Sequence, residues 1–200
     1  RAGGGCTAPG WRQRAGPPMI EVEVKARAPE GMAEKIASLG GELIAVESHQ
    51  DLYFNSPLRD FRRSDEALRI RIKEEGPRLT YKGPKIDRAT KSRLELTVKI
   101  DNARQMEEIL GRLGFVLSAI VRKRRSKYSY KGVTLALDEV EGLGCFLEVE
   151  AEAEEDVEEK RRKVLEVMGE LGLHESITSS YLELLEDKKK HPAAGNSEPI

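Results

Sequence analysis

Cysteine is nearly missing. Cys6 and Cys145 are the only two in 200 residues, too few for a disulfide framework or a zinc site. Aromatic residues make up 5%, and no run approaches the ~20 apolar residues of a bilayer-spanning helix. A surplus of one charge is lacking too: 34 basic residues face 35 acidic ones, for a net charge of -1. That balance argues against a general nucleic-acid binder, which carries a basic excess. The first residues are Gly, Pro and Arg where a signal peptide would place an apolar stretch. These absences point to a cytoplasmic protein with neither nucleic acid nor membrane as partner. What is abundant is charge itself, at 34% of residues against about a quarter in ordinary domains.

Residues 1–18 (RAGGGCTAPGWRQRAGPP) have almost no apolar pattern and read as a disordered leader containing the only Trp, Trp11. Met19 opens the first patterned segment and is a candidate start. Gly3 to Gly5 are no phosphate loop, because no strand precedes them and no Gly-Lys-Ser/Thr follows. Asp187 to Ile200 again lack a pattern and are expected to be a frayed tail, which leaves 19–186 as the folded domain.

Within it, Ile20 to Arg27 alternate strictly, the period of a strand. Pro29 suits a first helical turn; Met32, Ile36 and Leu39 follow at helical spacing, and Gly40-Gly41 stop the helix. Arg93 to Ile100 alternate again. Asp101 is the expected cap of a helix carrying Met106, Ile109, Leu110 and Leu113, ended by Gly114. Phe146 to Ala153 alternate once more, before a charged helix over Asp156 to Leu171 that ends at Gly172. Glu21 and Glu95 are 95 − 21 = 74 residues apart, and so are Gly40 and Gly114 (114 − 40). A strand–helix–Leu-Gly–strand unit therefore recurs, with a third, longer copy from Glu148. Shorter strands are expected at Leu52–Phe54, Ala67–Lys73, Arg78–Lys82, Lys127–Lys131 and Val133–Val140. Many strands and few helices predict an α+β fold dominated by antiparallel sheet.

Alternation assigns faces. Val22 and Val24 oppose Glu21, Glu23, Lys25 and Arg27. Leu68, Ile70 and Ile72 oppose Arg69, Arg71 and Lys73, and Leu94, Leu96 and Val98 oppose Arg93, Glu95, Thr97 and Lys99. Leu147 and Val149 oppose Glu148 and Glu150. Around Leu135, Leu137 and Asp138 a bulge or strand end is expected. One such strand alone reads as a solvated outer face. Taken together the faces are nearly pure Glu or pure Arg, and carboxylates two residues apart lie about 6.6–7 Å apart at Cα and repel. They call for a counter-ion, either a cation between them or a basic strand opposite. In a sheet closed into a barrel the charged faces would line the lumen. Carboxylates there suit Mg²⁺ or Mn²⁺, and Arg and Lys suit phosphates.

Glu21-Val22-Glu23-Val24-Lys25 matches an E-x-E-x-K signature. Gln50-Asp51-Leu52-Tyr53-Phe54, Leu68-Arg69-Ile70-Arg71, Tyr81-Lys82-Gly83-Pro84, Arg93-Leu94-Glu95, Lys123-Arg124-Arg125, Asp138 and Glu148-Val149-Glu150 follow in order. In this series the chain resembles the CYTH superfamily, the triphosphate tunnel metalloenzymes, over Met19 to Leu185. The ending Ser180-Tyr181-Leu182-Glu183-Leu184-Leu185 is similar to the class IV adenylyl cyclase branch. The resemblance implies an eight-stranded antiparallel β-barrel with flanking helices, forming a tunnel for a triphosphate. It implies Mg²⁺ or Mn²⁺ on Glu21, Glu23, Glu148 and Glu150, with Asp138 supporting a metal or its water. It gives the phosphates to Lys25, Arg69, Arg71, Lys82, Arg93, Lys123 and Arg125. Glu95 and, more weakly, Arg27 would complete the tunnel lining, with Glu23, Lys25 and Asp138 as the catalytic groups. Arg124 is expected outside.

The implied reactions are cyclisation of ATP to cyclic AMP and pyrophosphate, or hydrolysis of tripolyphosphate or a nucleoside or thiamine triphosphate. Retention of Glu21, Glu23, Glu148 and Glu150 counts against a non-catalytic polyphosphate binder. A scaffold role would use the helix over Asp156 to Leu171 as partner surface, and open barrel ends or an exposed helix face would suit a homodimer. His49, His174 and His191 are scattered and read as non-catalytic. Ser179 and Ser180 are expected to cap or line the last segment, Cys145 to be a small buried hydrophobe, and Tyr53 and Phe54 to be core.

Overall fold

Alternation in Ile20–Arg27 becomes a strand, β1, over those same residues, and in the computed structural model it is one of eight among the described residues. The structure describes residues 20–85, 93–153 and 156–190, excluding the side chains of Ile20, Glu21, Lys85 and Ala153. The leader expected over 1–18, Met19, and the tail from 191 lie outside the described residues. In chain order the other elements are α1 (Met32–Ser38), β2 (Glu42–Asn55), β3 (Ala67–Ile72), β4 (Arg78–Lys85) and β5 (Arg93–Lys99). They continue with α2 (Ala103–Arg112), β6 (Val116–Tyr130), β7 (Val133–Val140), β8 (Gly144–Ala153), α3 (Val157–Glu170) and α4 (Tyr181–Lys190). No helix among the described residues is long and apolar enough to cross a membrane.

The strands form one antiparallel sheet in the order β1-β8-β7-β6-β2-β3-β4-β5. The eight antiparallel strands and flanking helices are those expected, and the barrel takes the form of a curled sheet. Its edges β1 and β5 come near each other but share no ladder among the described residues. The internal repeat is visible in this order, because β2-β3-β4-β5 on one side corresponds to β6-β7-β8-β1 on the other. The β2–β6 ladder sets His49 opposite Lys123, and 123 − 49 = 74, the spacing of the repeat. An approximate two-fold axis therefore passes through that pair. Gly40 and Gly114, also equivalent, both end helices at positive φ (91° and 87°), a conformation that Gly adopts without a Cβ clash.

Three local expectations change. β2 and β6 are 14 and 15 residues long, where only Leu52–Phe54 and Lys127–Lys131 were legible. Their polar, irregular sequences lack strict alternation, and the long mutual ladder supplies the backbone hydrogen bonds that make them strands. The cap of α2 is Asn102, whose side chain accepts from the Gln105 amide at 3.0 Å, and not Asp101. Of the bulge or strand end expected around Asp138, the bulge does not occur: β7 keeps continuous register with β6 and β8 up to its end at Val140. The irregularities fall in the β2–β6 ladder, at Leu43/Ala45 and Tyr53/Phe54, and in the β4–β5 ladder, between Lys82 and Lys85.

Apolar faces pack outward under the helices. Val164, Val167, Met168 and Leu171 of α3 and its cap bury Val22, Val24, Leu147 and Val149 of β1 and β8. Leu110 and Met106 of α2 cover Leu52, Phe54 and Ile70. The equivalent stripe on β5 (Leu94, Leu96 and Val98) has no such cover among the described residues and is exposed there. The closing segment forms α4, which continues past the expected boundary at Glu186 to Lys190. It opens with a reciprocal cap: the Glu183 carboxylate accepts from the Ser180 amide at 2.5 Å, and Ser180 Oγ accepts from the Glu183 amide at 3.2 Å. Tyr181 and Leu185 then pack with Tyr53, Val121, Val140 and Phe146.

Candidate functional site

With apolar faces turned to the helices, the charged faces turn into the curl. One cavity of about 220 Å³ is lined by Glu23 and Lys25 of β1, Asp51 and Tyr53 of β2, Arg69 and Arg71 of β3 and Lys82 of β4. Arg93 and Glu95 of β5, Lys123 and Arg125 of β6, Glu148 and Glu150 of β8, and Tyr181 of α4 also line it. Residues from strands more than a hundred positions apart in sequence thus face one space.

Electrostatically the two halves of the repeat are inverted. In the first, a carboxylate is central. Asp51 takes a bidentate pair from Arg71, with Nε and Nη2 both at 2.7 Å, while Arg69 lies at 3.5 Å. Burial pushes the Asp51 pKa up, but Arg69 and Arg71 outweigh it and hold the carboxyl well below its usual range. In the second half, at the equivalent position (125 − 51 = 74), Arg125 is central and carboxylates surround it. Its Nε and Nη2 donate to Asp138 at 2.7 and 2.6 Å, Nη1 donates to Glu150 at 3.0 Å, and Nη2 also reaches Glu148. Lys123, on the axis, donates to Asp138 at 2.7 Å. Burial and then the neighbouring Arg125 push the Lys123 pKa down. One wall is therefore rich in cations that share few carboxylates, and the other is rich in carboxylates.

Carboxylate oxygens of Glu23, Glu148 and Glu150 all lie within 4.8 Å of one another. Three hard oxygen donors converging from two paired strands fit Mg²⁺ or Mn²⁺. A divalent ion there would polarise a phosphate oxygen and neutralise developing charge. Of the two counter-ions expected for these pairs, the basic strand opposite is visible as Arg125 on β6. Lys25, 1% exposed, adds a second cation, its Nζ 3.9 Å from Glu148. The Glu21 side chain lies outside the described residues.

Two expected members are placed elsewhere. Asp138 is fully buried and is neither in the carboxylate cluster nor on the cavity wall. Its two oxygens accept from Lys123, Arg125 and the Tyr181 hydroxyl (2.9 Å), which makes it the group that positions those cations. Arg27 is exposed, donates to the Leu143 carbonyl at 3.2 Å and stacks on Phe146, away from the cavity lining. Arg124 is exposed, as expected. Cys145 is exposed too, contrary to expectation, because the register of β8 gives the buried side to Phe146. Tyr53 and Phe54 are buried, and both also line the cavity.

Three residues were missed. Asp51 sat in a matched motif without a role; an acid one strand from an Arg-x-Arg pair was the available signal. Tyr181, whose ring lies 4.1 Å from Lys25 Nζ and 4.9 Å from Lys123 Nζ, was announced by the S-x-x-E cap just before it. His49 had no local signal. It is 4% exposed and its Nε2 lies 2.5 Å from the Glu47 carboxylate. Burial, then Arg71, Lys123 and Arg125, lower its pKa from 6.5 to about 4 against the raising effect of Glu47.

A native pKa below the unfolded one means that the unfolded chain takes the proton first as pH falls. Stability is then lost between pH 6.5 and about 4, by up to about 3 kcal/mol at ~1.4 kcal/mol per unit. Urea unfolding across that window is expected to show this slope in the wild type and a flatter one in His49→Gln. An equal slope in both would remove His49 as its source.

Residues 19–181 match the CYTH domain family. The chain is 40% identical over 173 residues to MJ0240 of Methanocaldococcus jannaschii, provisionally named an adenylate cyclase, covering 83% of this chain and 98% of that protein. Among solved structures it resembles PH1819 of Pyrococcus horikoshii OT3, with 45% identity, a TM-score of 0.79, and 84% and 99% of the two chains covered. The Hippeastrum protein HpAC1, provisionally named an adenylyl cyclase and described as having a dominant triphosphatase activity, shares the fold. It is 22% identical, with a TM-score of 0.62 and 84% and 95% covered. The match along nearly the whole described fold and the 40% identity of the relative agree: the chain belongs to the CYTH domain family.

Proposed function

We propose that the chain is a divalent-metal-dependent enzyme that cleaves a triphosphate, with ATP cyclisation to cyclic AMP and pyrophosphate as the first reading. The observation that carries it is the presence, on facing walls of one cavity, of the Glu23, Glu148 and Glu150 carboxylates and a cradle of cations. Lys25, Arg69, Arg71, Lys82, Arg93, Lys123 and Arg125 bind phosphate oxygens, the guanidiniums in pairs. Glu23, Glu148 and Glu150, with Glu21 from the same strand, hold the metal. The same cavity is also walled by Phe54, Phe61 and Leu182, apolar surface suited to the organic part of a nucleotide.

In this reading the 3′-oxygen of ATP bonds to the α-phosphorus as the bond from that phosphorus to the bridging oxygen breaks. Pyrophosphate leaves with the electron pair, and the hydroxyl proton passes to solvent. The fixed cations stabilise the charge that develops on the leaving phosphates. The second reading, hydrolysis, uses the same cradle with water as the nucleophile. It is favoured by the triphosphatase activity described for HpAC1 on this fold.

Product analysis separates them. The purified chain is incubated with ATP or tripolyphosphate, each with Mg²⁺ or Mn²⁺, beside Glu23→Ala. Cyclic AMP and pyrophosphate, lost in the variant, are the expected result. Orthophosphate without cyclic AMP would make it a triphosphatase. No turnover of either, with phosphate binding intact, would overturn the catalytic reading.

A further inference from the structure

Back to back with this cavity, the curled sheet holds a second, partly open chamber of about 190 Å³. Arg69, Arg71 and Arg125 line both spaces and form the partition. The far wall adds Lys73, Arg78 and Lys127, with Glu47 as its one carboxylate among the described residues, and Thr80, Thr97 and His49.

Counter-charge is short here. Lys73 and Lys127 share Glu47, at 3.8 and 3.0 Å. Lys73 and Arg78 also share Glu75, at 2.7 and 3.3 Å, and the Glu75 side chain is 61% exposed. Arg69 and Arg71 share Asp51. Five of the six cations lining this recess thus divide three carboxylates, while the sixth, Arg125, is held by Asp138, Glu148 and Glu150. The wall formed by the five focuses a positive potential into the recess.

The polar atoms are also arranged for a ligand. Glu47 has its pKa lowered to about 2: burial raises it, and His49, Lys127 and Lys73 outweigh burial. The carboxylate therefore accepts from His49 Nε2–H and leaves Nδ1 as the unprotonated nitrogen. Among the described residues, His49 Nδ1 and Arg69 Nε are both buried with no hydrogen-bond partner. Such buried polar atoms cost about 1–3 kcal/mol each when left unpaired. The unmet set is thus a cationic wall, one N–H donor and one nitrogen acceptor.

We infer that this chamber is a second oxyanion site, for inorganic phosphate or pyrophosphate, separate from the carboxylate-bearing cavity. The ammonium and guanidinium groups bind the oxygens, Arg69 Nε–H donates to one of them, and His49 Nδ1 accepts from a protonated P–OH. This assignment goes beyond the reaction proposed above and holds for either set of products. The shared guanidiniums also make occupation of one side weaken the other, so binding is stepwise.

The test uses the full chain, with inorganic pyrophosphate and, separately, orthophosphate as probes. Calorimetry counts the sites while NMR follows the His49 ring. Two steps are expected in the wild type, the weaker one moving the His49 resonances. In Arg78→Ala/Lys127→Ala the weaker step is expected to fall about a hundredfold, roughly tenfold for each charge-assisted contact removed, while the tighter step remains. A single site in the wild type for both probes, a His49 ring unmoved by the weaker step, or an unaltered weaker step in the variant would each overturn the assignment. The wild-type measurements need no variant to fold.

Discussion

Asp138→Asn is expected to lower stability by about 3–5 kcal/mol, the cost of removing one partner from a buried ion pair. The carboxylate is fully buried and accepts from Lys123, Arg125 and Tyr181. Asparagine keeps the shape but replaces one acceptor oxygen with an NH₂ donor that faces other donors. The two cations respond differently. Lys123, whose pKa burial already pushes down, can shed its proton, whereas Arg125 stays charged and must rely on Glu148 and Glu150. At roughly 2–4 °C per kcal/mol for a chain of this size, the melting temperature should fall by about 6–20 °C. A calorimetric melt of the variant checks this. A loss under about 1 kcal/mol would show that the remaining carboxylates compensate Arg125 without Asp138.

Glu148→Gln is expected to act mainly on the reaction, with a large loss of turnover and a smaller loss of stability. Glu148 belongs to the three-carboxylate cluster, and the amide removes one of the charges that hold the metal. Removing one group that stabilises transition-state charge typically lowers kcat by about 10²–10³, and the metal concentration for half-maximal rate should rise as well. Stability should fall less than in Asp138→Asn: buried Lys25 loses its pair with Glu148, but Glu23, Glu148 and Glu150 repel one another when no ion is bound and Arg125 keeps Asp138 and Glu150. Turnover as a function of Mn²⁺, read beside a thermal melt, separates the two effects. Wild-type turnover in the variant would take Glu148 out of the reaction.

The contrast between Asp138 and Glu148 shows where reading a sequence stops. Both are acids on strands of alternating pattern, and both match the same series of motifs. The face of Glu148 follows from a two-residue period, which is local and so legible, whereas at Asp138 the expected bulge is absent; β1 and β7 come out with the expected bounds. The grouping of Glu23, Lys25, Arg69, Arg71, Lys82, Arg93, Glu95, Lys123, Arg125, Glu148 and Glu150 around one cavity followed from those faces once the sheet curls. Which acid reaches the cavity and which disappears under two cations is set by partners on neighbouring strands.

The same reasoning separates the rest. By itself the sequence determined the 74-residue repeat, the helix stops at Gly40 and Gly114, the apolar faces that take α2 and α3, and the charged inner faces. These depend on backbone period, capping and burial, each encoded within about a dozen residues. Only the tertiary structure decided that β2 and β6 run their full length as partners, and that their ladder crosses the repeat axis at His49 and Lys123. It also decided that Arg27 and Cys145 face outward, and that Asp51 and Arg125 make equivalent positions opposite in charge. Pair energies between buried charges depend on distance and on exclusion of water, and both arise only when strands far apart in the chain are brought side by side.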